Sequence, residues 1–257
     1  MPHSAHRGPT NRPLPSFRHR TRRDESTPRA VGRTASIEGA NPPDGPRSAV
    51  SPTLAVRARR AVPADVDALV PAYLAAFADE AVLSWVVPDP TDRAARTASL
   101  FRDLLHAAVH DGQVIVAELP GGTLAGMSVW QRPVDATSPP APATRPTAAA
   151  LDGLPGRRLA TVTDTVAAHR PKEPHLYLAS IGVRPDLRGC GAGGVILAEG
   201  LRTADADGLP TYLEASTGRS RRLYLRHGFH DHGRPLALPD GGPVLWPMWR
   251  PARPGGA

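Results

Sequence analysis

The residues best suited to chemistry lie close together in the second half of this chain. The run Arg188-Gly189-Cys190-Gly191-Ala192-Gly193-Gly194 follows an apolar stretch and leads into a segment of helical periodicity. A helix start offers several unpaired N–H groups and a partial positive charge. Glycines let the backbone approach a ligand and take conformations closed to other residues. Together these features make an anion site suited to phosphate or diphosphate. Further on, Glu214 sits inside an apolar run. A carboxylate buried in a strand has a raised pKa and suits general-base work. On residue type alone it is equally a paired acid or a substrate anchor, with Glu118 and Asp79 as weaker candidates for the base.

A glycine-rich loop has several readings. A nucleotide P-loop ends in Gly-Lys-Ser or Gly-Lys-Thr, and this one ends Gly193-Gly194-Val195. Gly189, Gly191 and Gly194 satisfy the bare dinucleotide pattern, but that fingerprint belongs to the first strand of a domain, and this loop comes late. The third reading is a coenzyme A loop, Arg/Gln-x-x-Gly-x-Gly/Ala, which Arg188, Gly191 and Gly193 match in frame. A glycine turn that merely packs tightly is the fourth.

The elements that must position this loop follow from periodicity. A strand begins at Leu54, and a helix opens at Pro63-Ala64-Asp65 with Val66, Leu69, Val70, Tyr73, Leu74 and Phe77 on one face. Residues 79–92 read as a broken segment, with a second helix over 93–110. Strands over 113–118 and 123–130 flank the hairpin signal Gly121-Gly122. The Pro- and Ala-rich stretch 134–147 reads as a loop, and 148–169 as a weaker helix. Then come a strongly apolar strand over 176–183, helices over 193–206 and 219–227, and strands over 211–215, 229–233 and 244–249. Alternation in the second half implies βαβ crossovers, and the early hairpin implies an antiparallel part. The expected fold class is α/β, a mixed sheet flanked by helices, in one domain.

In this setting the strand carrying Glu214 is followed by Tyr224-Leu-Arg-His-Gly228-Phe229 on a short helix, and here the sequence resembles the GNAT superfamily of N-acetyltransferases. More narrowly it is similar to the puromycin N-acetyltransferase branch. The strings carrying that likeness are HRPKEP from His169, LYLASIGVRPDLRG from Leu176, LPTYLEAS from Leu209 and YLRHGF from Tyr224, with AAFAD ending at Asp79 and VPDP from Val87. The likeness runs from about Val56 to Gly233 and fades across 131–165, where substrate contacts are expected.

The resemblance implies the GNAT fold over 53–250 and transfer of an acetyl group from acetyl-CoA directly to a primary amine of a small molecule. The narrow form of that acceptor is an aminonucleoside-type antibiotic, in resistance or detoxification. A protein acceptor, or a non-catalytic acyl-CoA-binding module, are the alternatives. It implies that Ser180, Ile181, Gly182 and Val183 give backbone partners to the pantetheine arm, with an N–H near Ile181 polarising the thioester. The amides of Arg188, Gly189, Cys190, Gly191, Ala192 and Gly193 bind the pyrophosphate, and the Arg188 guanidinium adds charge. By the resemblance Tyr224 is the general acid for the leaving thiolate, with an aromatic packed on the sheet as the other reading, and Glu214 is the best candidate for the base, directly or through water. Phe77, Asp79, Trp85 and Trp130 are candidates for the substrate pocket, although core packing is the commoner role of each aromatic alone.

The sequence also departs from the family's pattern. Ser220 stands where asparagine often orients the cofactor arm, and Arg188 replaces the commoner glutamine. Cys190 stands in the loop where the puromycin-like branch has a basic residue, and direct transfer needs no nucleophile there. Arg219, Arg221 and Arg222 form a basic run that either meets cofactor phosphates or is a solvated face. His227, His230 and His232 resemble metal-ligand spacing but lack a completing partner, so no metal is expected.

Composition sets the outer bounds. The net charge is +7, and Met1 to Pro52 carries nine arginines against four acidic residues, so the basic excess is mainly a property of that stretch. It is rich in Pro, Ser, Thr and Arg without an apolar run, and is read as a disordered tail, as are residues 251–257. A nucleic-acid partner is accordingly not expected. One cysteine excludes an internal disulfide. No stretch has the length of a membrane span, and no leader is visible. A cytoplasmic monomer or homodimer is the expectation.

Overall fold

The computed structural model describes residues 55–133 and 151–253. The basic stretch up to residue 52, the loop 134–147 and the chain past residue 253 lie outside them.

The elements are β1 (Arg57–Arg60), α1 (Val66–Phe77), α2 (Ala81–Val86), α3 (Pro90–His110), β2 (Val114–Glu118), β3 (Leu124–Gln131), α4 (Gly153–His169), β4 (Leu176–Val183), α5 (Ala192–Ala206), β5 (Thr211–Ala215), α6 (Gly218–Arg226), β6 (His230–Asp231), β7 (Leu236–Ala237) and β8 (Val244–Arg250). The main sheet runs β1-β2-β3-β4-β5-β8-β6, with β7 paired to β8. Every described pairing is antiparallel except β4 with β5. Parallel neighbours need a crossover, and α5 supplies it.

Residues 79–92 differ from the expectation of a broken segment. Prolines 88 and 90 read as breakers, yet Glu80 caps α2 by accepting from the Leu83 N–H at 2.8 Å. Asp89 caps α3 at the Thr91 N–H, which brings Pro90 into the first helical position where its missing N–H costs nothing. Buried Arg93 then ties these turns together, donating to the carbonyls of Val87, Pro88 and Ala78.

Period-two alternation builds a core on each face of the sheet. Val114 and Val116 of β2 face α1 and α3, while Ile115 and Ala117 face α5. In β4 the register against β3 skips Ala179, a β-bulge. The bulge inverts the alternation, so Leu176 and Leu178 before it and Ile181 and Val183 after it all pack on the α5 side. Tyr177, Ser180 and Gly182 are thereby left on the opposite side. A third cluster joins Trp85, Val86 and Val87 to Leu151, Leu236, Leu238 and Leu245.

Gly200 on α5 lies against the Trp130 indole, and a Cβ there would come within 2.0 Å of a ring atom. Because the helix backbone and a buried indole are both hard to move, Gly200→Ala should lower unfolding free energy by about 1–3 kcal/mol. Urea unfolding with an unchanged m-value is the measurement; an unchanged midpoint would show that the indole yields freely.

Candidate active site

The site is organised by what β4 and β5 do not share. Their pairing is limited to Leu176 with Thr211 and Tyr177 with Tyr212. Beyond Tyr177 the strands have no register, and Ala179–Val183 are only half-buried although β4 is a central strand. Backbone N–H and C=O groups are obligatory hydrogen-bonding groups. A central strand with one free edge therefore presents a row of donors and acceptors to an extended ligand.

The glycine loop lies at the far end of β4. Gly189 and Gly191 take positive φ, 95° and 89°, and a side chain there would meet nothing but backbone strain. Gly191 is the N-cap of α5 and brings no capping side chain. The first amides of α5 are thus uncapped and can serve an anion. The Arg188 guanidinium is engaged elsewhere, in a two-point ion pair with Asp79 at 2.6 Å for both contacts. It also donates to the carbonyls of Ala76 and Val183. The loop is in this way fastened to the end of α1, and Asp79 is occupied by this contact rather than free in a pocket.

Ser220 serves α6. It forms a capping box with Thr217, its N–H donating to Thr217 Oγ1 at 3.1 Å and its hydroxyl receiving the Thr217 N–H. Cys190 is a free, half-buried thiol. Arg221 pairs with Asp231.

Tyr224 is 5% exposed, packs against Phe229 and belongs to the α5-side core. Burial, reinforced by the charge of Glu80, holds its phenol well above the usual tyrosine range. A proton on this hydroxyl at neutral pH is what a general acid needs. Glu214 is on the other face, since Leu213 and Ala215 take the α5 side of β5. Its Oε2 accepts from the Tyr177 hydroxyl at 2.7 Å. Burial pushes its carboxyl above the ordinary 4.5, opposed by the Tyr177 and Tyr212 hydroxyls and the Arg170 charge. Arg170, from the HRPKEP string, lies 3.7 Å above the Tyr177 ring.

The remaining expected residues divide. Phe77 stacks on Tyr73 at 4.3 Å and touches Gly182, where a Cβ would come within 2.6 Å of its ring. The Tyr73 hydroxyl donates to Ser180 Oγ at 3.1 Å, and burial raises this phenol to about 12. Phe77 and Ser180 are thus brought together beside β4. Trp85 is in the third core, under the Arg158 guanidinium. Trp130 is buried against α5, its indole N–H donating to Ser128 at 2.8 Å. The structure brings neither tryptophan to the β4–β5 opening. Tyr73, Tyr177, Tyr212 and Arg170 were not expected at the site from sequence. The signal for Tyr212 was present, since it shares a strand face with Glu214 at a spacing of two.

A carboxyl whose folded pKa is raised is protonated more readily in the native than in the unfolded chain. Its contribution to stability is then greatest at low pH and is lost as pH rises from about the ordinary 4.5 through the folded value. Glu214→Gln should therefore be more stable than the parent protein at neutral pH, with the gap closing below pH 4.5. Urea midpoints for both proteins from pH 4 to 8 test this; a gap independent of pH would show an ordinary carboxyl.

Comparison with known proteins places this geometry. A family model described as the acetyltransferase (GNAT) family matches residues 74–229, more than half of the chain. A solved structure described as histone acetyltransferase HPA2 and related acetyltransferase from Corynebacterium glutamicum is 25% identical, with a TM-score of 0.53 over 78% of this chain and 99% of that one. Polyamine N-acetyltransferase of Drosophila melanogaster aligns at 19% identity and a TM-score of 0.57, over 76% of this chain and 99% of that one. Arylalkylamine N-acetyltransferase 2 of Aedes aegypti aligns at 14% and 0.57, over 77% and 100%. The last two share the fold. Among the described residues no helix is long and apolar enough to cross a membrane, and no group of three or more side chains is arranged to hold a metal ion. A mixed sheet that parts after two parallel residue pairs, an uncapped helix start beyond a glycine loop, and the match over residues 74–229 together lead to one assignment: the chain belongs to the GNAT family of acetyltransferases, whose members use acetyl-CoA.

Proposed function

We propose that the protein transfers an acetyl group from acetyl-CoA to a primary amine of a small molecule, by direct attack and in the cytoplasm. The observation that carries this reading is the parting of β4 and β5, with Glu214 on one face and Tyr224 and the uncapped α5 on the other. The diphosphate of the cofactor takes the amides of Arg188 to Gly193, and the pantetheine arm runs along Ser180 to Val183. The thioester then lies in the opening, and the amine enters from the Glu214 side.

In the reaction the amine nitrogen bonds to the thioester carbon and the carbon–sulfur bond breaks. Glu214 takes the proton that the nitrogen must lose, and the Tyr224 hydroxyl gives one to the leaving sulfur. Solvent exchange then returns each group to its starting state. Holding the two reactants in line can by itself lower the barrier by about 7–11 kcal/mol.

Within the class of amines, the HRPKEP string and the strings around it support an aminonucleoside-type antibiotic as the narrow acceptor. Acceptors of the structurally similar enzymes, agmatine-like polyamines and arylalkylamines, belong in the same test. Full-length protein should show a melting shift with CoA, and thiol release from acetyl-CoA that depends on one of these amines. Tyr224→Phe should lower kcat about a hundredfold while keeping the CoA shift. Acetylation of a peptide but no free amine would turn the reading to a protein substrate. CoA binding without thiol release for any acceptor would leave a non-catalytic acyl-CoA module.

A further inference from the structure

Tyr177 and Tyr212 are the last residues that β4 and β5 pair before the sheet parts. Their rings stack at 6.1 Å, and both side chains lie on the Glu214 face. The Tyr177 hydroxyl donates to Glu214 Oε2 at 2.7 Å. Glu214 Oε1 and the Tyr212 hydroxyl are both buried without a hydrogen-bond partner. Tyr212 lies two residues before Glu214 on the same face of β5, and its ring stacks on Tyr177, the donor to the carboxylate. A buried donor and a buried acceptor each left without a partner cost more than a made bond yields, so pairing the two is favourable. Phenylalanine would fill the same space without burying a hydroxyl, so packing alone does not account for either tyrosine.

Resting on the reading of Glu214 as the base, we propose that Tyr177 and Tyr212 are positioning residues for it. The Tyr177 hydroxyl pins one carboxylate oxygen, and the Tyr212 hydroxyl is the donor in reserve for the other. The rung that ends strand pairing thus also sets the orientation of the base. Besides these two, the Arg170 guanidinium, stacked on Tyr177 beyond α4, acts on Glu214, and the rings of His175 and His232 meet Tyr212 at 5.4 and 6.1 Å. Burial disfavours the charged carboxylate, whereas both hydroxyls and Arg170 favour it.

The test uses full-length protein carrying Tyr177→Phe or Tyr212→Phe, changes that keep ring shape. A donor to the carboxylate stabilises its charged form, so loss of that donor raises the pKa of Glu214. Activity of a base falls as pH drops through its pKa, so the acid limb of kcat/KM should move to higher pH. In Tyr177→Phe this means about tenfold lower kcat/KM on the acid side, recovering at alkaline pH. The KM for acetyl-CoA and the CoA melting shift should stay unchanged. Independently of turnover, the carboxyl 13C signal of Glu214, identified by its absence in Glu214→Gln, should titrate at higher pH in Tyr177→Phe. An unmoved carboxyl titration in both variants, or an equal loss of kcat/KM at every pH, overturns the proposal. A moved titration with an unmoved acid limb overturns it too, since Glu214 is then held but is not the base. A moved titration in a protein with no turnover for any amine supports the hold on Glu214 and removes the proposed function instead.

Discussion

Strand pairing between β4 and β5 stops after two residue pairs, and most other features of this molecule follow from that. Were the parallel pairing to continue past Tyr177, the edge of β4 would be consumed by hydrogen bonds within the sheet. The strand has left the ladder instead, and its second half is half-buried in the middle of the sheet. Such an arrangement is costly unless the free groups find partners, and in the proposed function the pantetheine arm supplies them.

Two devices hold the opening in place. The bulge at Ala179 shifts the strand by one residue, so that Ile181 and Val183 continue the α5-side core begun by Leu176 and Leu178. Without it the apolar residues would face opposite sides above and below the parting. At the far end, the two-point pair of Arg188 with Asp79 ties the glycine loop to the end of α1. Gly182 then admits Phe77 against β4, a contact that any side chain at 182 would block. The loop, the first helix and the free strand are thus one assembly.

Chemical division follows from the two faces of β5. Leu213 and Ala215 point to α5 and Tyr224, and Tyr212 and Glu214 point away. Burial pushes both Glu214 and Tyr224 upward in pKa, but with opposite consequences: a carboxyl that takes a proton more readily than an ordinary glutamate, and a phenol that keeps its own. In the proposed reaction these are the base and the acid, separated by the sheet opening.

Much of the fold was legible in the sequence, because periodicity reports burial directly. The apolar strand over Leu176–Val183, the glycine loop and the following helix were all readable, and spacing made the loop a candidate anion site. Residues 79–92 were misread because proline signals a break in isolation, while caps at Glu80 and Asp89 decide where a helix starts. Composition gave Trp85 and Trp130 as pocket candidates, but only tertiary packing could assign them to the cores. The Arg188–Asp79 pair spans 109 positions, and the Tyr177–Glu214 bond 37. Neither distance in sequence carries a local signal. What the sequence determined by itself was which segments bury a face and where glycines leave a helix start without a capping side chain, since both depend on neighbours within a few residues. Which charges meet, which tyrosines orient the carboxylate and where the sheet parts were decided only when distant strands came into register.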